Sequence, residues 1–296
     1  MYYIRISYSI LLVILIFSSA CEREATNIIL PEFTHRLSIT SFLSPTDTIS
    51  YVFVSSNQRI YGELNSKEAT GILTAFISDG SKEIALDTSN NGFILRHDQM
   101  DIKYGTTYKL RVISDIGLSA EAISTVPEKR NFFLKADTFS ILEQYPDWSA
   151  ERVLYTTATF KDNPGEDNYY KLFEVKTLYY TDSETGKVFN HSRSSNTLFK
   201  KSFFTDNGMD GKEISQRTEG TNIGNYSDPD YGPDSVFMKI YLLNTEKSYY
   251  QFHQSLMNYD DGTKPFSEAS PLFSNINGGL GIFSAYTVDS LVIRIK

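Results

Sequence analysis

The strongest constraint on this chain is a period of two. Short runs in which apolar and polar residues alternate recur along it, each cut off by turn-forming residues. They are LSITS at 37–41, ISYVFV at 49–54, ILTAFI at 72–77, EIAL at 83–86, FIL at 93–95 after the turn Asn90-Asn91-Gly92, YKLRV at 108–112 after Gly105, and the run 120–126 after Gly117. In an extended chain successive side chains point to opposite faces, so each run reads as a strand with one face buried. No helical pattern separates the runs, so no helix is at hand to carry a parallel crossover. The expectation is an antiparallel immunoglobulin-like sandwich over residues 33–127. Pro127 cannot donate to a ladder and Glu128, Lys129 and Arg130 favour water, which sets a domain boundary there.

Alternation resumes at 153–160, 169–178, 199–204, 235–243 and 290–295, so the second domain, 128–296, is expected to be β-rich as well. One helix near 245–259 interrupts it. Thr245 reads as its N-cap and Glu246 falls in its first turn, while Tyr249, Phe252, His253 and Leu256 share one face at three-and-four spacing. That face reads as one packed on a sheet. Residues 207–232, rich in Gly, Asn and Asp, read as long loops, where sandwiches place binding groups.

The N-terminus has a different grammar. Arg5 precedes an unbroken apolar run at 10–17, then come Ser18, Ser19 and Ala20, then Cys21, the sole cysteine of the 296 residues. This is the layout of a secretory signal peptide, and the apolar run is too short to span a bilayer, which takes about 20 residues. A thiol placed directly after the small-residue site fits lipoprotein processing, with cleavage before Cys21 and acylation of its sulfur, although Ser18 stands where such boxes favour Leu. The expected organisation is therefore signal peptide 1–20, lipidated linker 21–32, and the two β domains. Each buried methylene contributes about 0.8 kcal/mol, so an anchor of two or more acyl chains holds stably.

Composition narrows the partners. There are 36 acidic against 28 basic residues, a net charge of −8, and no basic cluster, which argues against nucleic acid, since phosphate contacts need grouped Lys and Arg. With one cysteine no intrachain disulfide forms, so the domains hold by burial, for which 20 Tyr and 20 Phe supply material.

A search for reaction chemistry returns little. His35, His97, His191 and His253 have no metal-ligand spacing, no Gly-x-Ser-x-Gly elbow is present, and no pair of carboxylates is singled out. DNGMDG, from Asp206, fails as a calcium loop because Gly208 sits at the second ligand position and Arg217 where the bidentate Glu belongs. Asp228, Asp230 and Asp234 read as solvated turn residues, and GGLGIF, from Gly278 to Phe283, as a place where backbone comes close to backbone rather than a dinucleotide loop. The expectation is a non-catalytic protein with no cofactor and no metal ligand.

Several segments together resemble one family. TFKDNPGEDNYYKLFEV at 159–175 looks like its Asp-x-x-Gly-x-x-Asn-Tyr-Tyr motif at the start of a strand, FFTDNGMDGKE at 203–213 like its Asp-rich middle, GTTYKLRVISDIGLSAEAISTVP at 105–127 like the hairpin that closes its first domain, and SNINGGLGIFSAY at 274–286 like its C-terminal signature. The chain thus resembles the Bacteroidota outer-membrane lipoproteins of domain-of-unknown-function family 4249. That resemblance implies a lipid-anchored outer-membrane protein, on the periplasmic or the cell-surface face, serving a TonB-dependent transporter as an accessory or ligand-capture partner. It implies no catalytic residues. A structural or adhesive surface module is the alternative reading, and a hydrolase the third.

Overall fold

The computed structural model describes residues 34–57, 70–90, 92–144, 150–182, 184–195, 199, 201–222, 233–259 and 270–295. In the first half the strands are β1 (Leu37–Leu43), β2 (Ile49–Ser56), β3 (Leu73–Ser78), β4 (Glu83–Ala85), β5 (Asp87–Ser89), β6 (Gly92–Arg96), β7 (Thr107–Ser114) and β8 (Ser119–Thr125). The second half carries β9 (Lys135–Gln144), β10 (Ala150–Lys161), β11 (Tyr169–Thr181), β12 (Val188–Ser195), β13 (Phe203–Thr205), β14 (Glu213–Arg217), β15 (Thr221–Asn222), β16 (Ser235–Thr245), the helix α1 (Lys247–Met257) and β17 (Gly279–Arg294). The protein is mainly β, as the alternation requires, and seven of its eight first-half strands lie within a residue or two of the runs read from the sequence; β5, three residues long with none of them buried, matches no run.

The strands are arranged as two sandwiches that share one sheet. Among the described residues a nine-stranded sheet runs β12-β11-β16-β17-β1-β2-β6-β5, with β13 paired to β11. A four-stranded sheet, β4-β3-β7-β8, faces its first-half end, and a second, β9, β10, β14 and β15, faces its second-half end. One core, with Leu37, Ile39, Leu95, Tyr108, Leu110 and Val112, fills the first sandwich; another, with Phe160, Tyr170, Leu172, Met238, Ile240 and Leu242, fills the second. The change of core falls where Pro127 and the charges after it lie. The sheet does not stop there, and residues 35–296 form one compact unit.

β17 makes the join. Its residues 279–285 pair parallel with β1, and residues 286–294 pair antiparallel with β16. Phe283 and Ala285 belong to the first core, whereas Ile293 and Ile295 pack against the second. This corrects two expectations. The sheet is not purely antiparallel, and the last strand spans sixteen residues instead of the six at 290–295. A parallel neighbour needs a long return path, and here nearly the whole chain supplies it, which no local pattern can register. Gly281 permits the pairing: at φ +102° it lies in the left-handed region, and a Cβ there would stand 2.0 Å from the carbonyl oxygen of Ile39. Close backbone approach is thus the role of the glycines in GGLGIF.

Other differences from the sequence reading have local causes. β9 and β12 went unseen because much of each is exposed, which blurs alternation. Part of the segment 207–232 is extended as β14 and β15, and among the described residues of 199–204 Phe203 and Phe204 are in a strand, with Phe199 making an isolated bridge to Thr218. The helix starts two residues later than its predicted cap. Thr245 ends β16 and gives its hydroxyl to the Tyr169 carbonyl at 3.1 Å, so the N-cap is Glu246. The Glu246 carboxylate makes no cap bond; it accepts from Ser124 at 2.6 Å and Ser284 at 3.0 Å, tying α1 to β8 and β17. Tyr249 is buried as expected, but Leu256 is half exposed. His253, packed against Phe42, Phe203, Tyr249 and Phe252, is pushed down to about 4 by burial and stays neutral.

One interior group opposes folding. Glu174 on β11 is 1% exposed, and neither of its carboxylate oxygens has a hydrogen-bond partner. Burial raises it from its ordinary 4.5 to about 6, with Lys176 pulling weakly the other way. A carboxyl raised in the folded state costs nothing below the unfolded value and progressively more as pH climbs from 4.5 to about 6, the cost then staying level at about 2 kcal/mol. Glu174→Gln is therefore expected to stabilise the protein by about 1–2 kcal/mol at pH 7.5 and to change little at pH 4. Urea melts at the two pH values check this, and equal effects at both would refute it.

Candidate functional site

Two turns far apart in sequence meet at the end of the second sandwich. The β10–β11 turn begins with Asp162 directly after β10, and the β13–β14 turn carries Asp206 and Asp210. Carboxylate oxygens of the three aspartates lie within 4.8 Å of one another, with Asp162 and Asp206 buried at 2% and 7% exposure and Asp210 open to solvent. Two turns supplying acidic groups to one point constitute a polar junction at the edge of an aromatic core.

Four residues of the motif beginning at Asp162 have a task there. Asp162 accepts from the Tyr170 hydroxyl at 2.5 Å through Oδ1 and from the backbone N–H of Gly211 at 2.7 Å through Oδ2. Gly165, at φ +87°, turns its N–H onto Asp210 Oδ1 at 2.8 Å. Asn168, with its amide nitrogen toward Asp162, donates to Asp162 Oδ1 at 3.1 Å and to the Asn163 carbonyl at 2.9 Å. The Tyr170 ring packs against Phe132, Phe160 and Phe204 at centroid distances of 5.7, 4.9 and 5.7 Å, so the donor on its tip is fixed by the core. Asp-x-x-Gly-x-x-Asn-Tyr-Tyr is thereby a clamp, holding its own turn to that of Asp206, Asp210 and Gly211. Buried carboxylates need such donors, because leaving one without a partner costs about 1–3 kcal/mol or more.

Electrostatics follow from the burial. Asp206 is raised above the ordinary carboxylate range, first by burial and then by the charges of Asp162 and Asp167. Tyr170 is raised by burial and by its bond to Asp162, and stays protonated as the donor. A set of oxygen donors this close has the chemistry of a hard divalent cation site, while Asp162 and Asp210 are already served by the clamp's own N–H and O–H groups. The Asp206 loop fails as a calcium loop on its own ligands; the partner that brings a third carboxylate to it, Asp162, lies 44 positions upstream. The signal that can find it is the pairing of the two motifs, each with an aspartate and a glycine in a short turn, Asp162 with Gly165 and Asp210 with Gly211.

The remaining sequence candidates are dispersed. Cys21, Asp228 and Asp230 lie outside the described residues, and Asp234 gives its N–H to the Tyr179 carbonyl at 2.8 Å. His35 and His191 are exposed. His97 Nε2 is 2.9 Å from Ser50 Oγ, a pairing that resembles a nucleophile and its base, but Ser50 is 2% exposed and sealed from substrate.

Two surfaces are suited to contact. A groove of about 650 Å³ runs between α1 and the segment around β13, with Phe203, Tyr250 and Met257 as apolar lining and Lys201, Glu219 and Gln254 as polar lining. Strand β9 pairs with β10 along one edge, and among the described residues no strand pairs with its other edge. It exposes Phe139, Ile141 and Leu142 by 43%, 42% and 65%, with Phe139 stacked on Tyr155 and the Arg217 guanidinium over both rings. A strand edge that no described strand pairs, with apolar side chains along it, is a template for association.

These features define a class: a β-rich body of two sandwiches on a shared sheet, locked at one end by an aspartate clamp. The chain belongs to the family described as Domain of unknown function (DUF4249), whose model matches residues 23–291. No curated protein matches it.

Proposed function

We propose that this is a lipid-anchored, non-catalytic outer-membrane binding protein, acting as an accessory or ligand-capture partner of a TonB-dependent transporter. The observation that carries the reading is Cys21, a lone thiol at the exit of a leader-like apolar run. An acylated Cys21 confines the protein to a membrane surface, where tethering raises its effective concentration toward other membrane proteins and a modest interface stays occupied. The edge of β9 that no described strand pairs supports a protein partner, since an extended segment can add to it by backbone hydrogen bonds while Phe139, Ile141 and Leu142 supply apolar contact. The groove beside α1 supports ligand capture, with Phe203 and Tyr250 as a platform and Lys201 and Glu219 as polar contacts.

The test is photo-cross-linking in intact cells from a benzophenone amino acid at position 142, with position 98 as a control. A transporter recovered from position 142 and not from position 98 is the expected result. Recovery of no transporter, with turnover of a substrate by the purified protein, would replace this reading with an enzymatic one.

A further inference from the structure

At one end of the first sandwich two isoleucines stand side by side in solvent. Ile72, just before β3, is 76% exposed, and Ile116, in the β7–β8 turn, is 57% exposed. The Ile116 side chain lies against Gly71, the neighbour of Ile72: a Cβ on that glycine would be 3.1 Å from Ile116 Cγ2. Both are held rigidly. Ile72 gives its N–H to Asp115 Oδ1 at 2.8 Å and accepts from the Asp115 N–H at 3.1 Å, while Ser114 Oγ donates to the Thr70 carbonyl and accepts from the Ile116 N–H at 3.3 Å. This network holds the backbone at both isoleucines, so their Cα–Cβ directions are set. It also engages the Asp115 carboxylate with a backbone donor.

The position of this pair indicates what it meets. The β7–β8 turn lies at the end of the sandwich where β1 begins: Ile113 pairs with Ser119, the Ser119 carbonyl lies 2.6 Å from where a Gly278 Cβ would stand, and Gly279 pairs with Leu37. Leu280, 36% exposed, and Arg36, exposed directly before β1, are at the same end. Only residues 22–36 separate Cys21 from β1, a reach of at most about 50 Å. An acyl anchor on Cys21 therefore delivers this end of the body to the bilayer first, with isoleucines to enter the acyl boundary and Arg36 to meet phosphates. We infer that Ile72 and Ile116 form a membrane-docking tip, which seats the first sandwich on the phospholipid surface and fixes the orientation of the body. The inference rests on the lipid anchor proposed above.

The test uses acylated full-length protein in vesicles of phosphatidylethanolamine and phosphatidylglycerol. Because lipid occupies the Cys21 sulfur, Ile116→Cys provides a single reactive thiol for a bimane label, and Asp98→Cys provides one at the opposite end, where His97 bonds to Thr48 ahead of β2. Flotation with the vesicles reports the anchor. Quenching by lipids brominated on their acyl chains reports docking, and is expected to be at least threefold stronger at position 116 than at 98 and to fall to the level of position 98 when Ile72→Asp is added. Failure to float overturns the anchor. Flotation with equal quenching at the two positions overturns the docking tip alone, as does cross-linking of position 116 to its counterpart in a second copy without lipid quenching.

Discussion

Phe283→Ala is expected to destabilise the protein by about 3–5 kcal/mol, the usual cost of emptying a phenylalanine site in a packed core, and to loosen both sandwiches together. Phe283 is fully buried in the first core, and its backbone is bracketed by Asn275, which accepts from its N–H at 3.0 Å and donates to its carbonyl at 2.7 Å. It sits on the strand that goes on to pair with β16 and to pack on the second core. Disturbance of the β17 ladder therefore has a path into the other half. Hydrogen exchange followed by mass spectrometry makes the distinction: peptides from β11 and β16 should lose protection in step with those from β1 and β2. Loss confined to β1 and β2 would mean that the two sandwiches unfold as separate units, despite the shared sheet.

Cys21→Ser is expected to abolish incorporation of labelled fatty acid completely and to leave the leader attached, since lipidation of the thiol precedes cleavage in lipoprotein processing. The chain should then run about 20 residues larger on a gel. Its effect on localisation is as large as that of Phe283→Ala on stability, yet it changes nothing in the described body, so far-ultraviolet circular dichroism should remain that of a sheet protein. Variant protein that still carries labelled fatty acid and fractionates with the outer membrane would refute the anchor.

The two variants test information held at different ranges in the chain. The apolar run at 10–17 and Cys21 after it form a contiguous pattern, legible without knowing the fold, and so is every first-half strand except β5. In β1 buried and half-buried residues alternate from Leu37 to Leu43, and the sequence follows that alternation as far as Thr40; Ser41 is then polar yet buried, and Phe42 packs on Tyr249 and His253 of α1 from the other face. The helix was legible too, through its aromatic face, but its first residue was not. Thr245 has the chemistry of a cap, and tertiary pairing kept it in β16. In β12 the signal itself is weak, because residues 188–192 are all exposed, Val188 and Phe189 by more than half, and no buried face imposes alternation on them.

The clamp separates the two kinds of information most clearly. Asp162, Gly165, Asn168 and Tyr170 stand at spacings that suggest a purpose, as do Asp206, Asp210 and Gly211, but neither set states that it needs the other. That link is made when β10, β11, β13 and β14 come together and bring carboxylates 44 residues apart within 4.8 Å. The sequence by itself determined the β class, most first-half strand positions and the places where glycine must stand, because face preference and backbone clearance act over a few residues. Tertiary structure alone decided that β17 joins two cores, that β1 has a parallel neighbour, and that two acidic turns form one junction, because each depends on contacts between residues whose separation leaves no periodic trace.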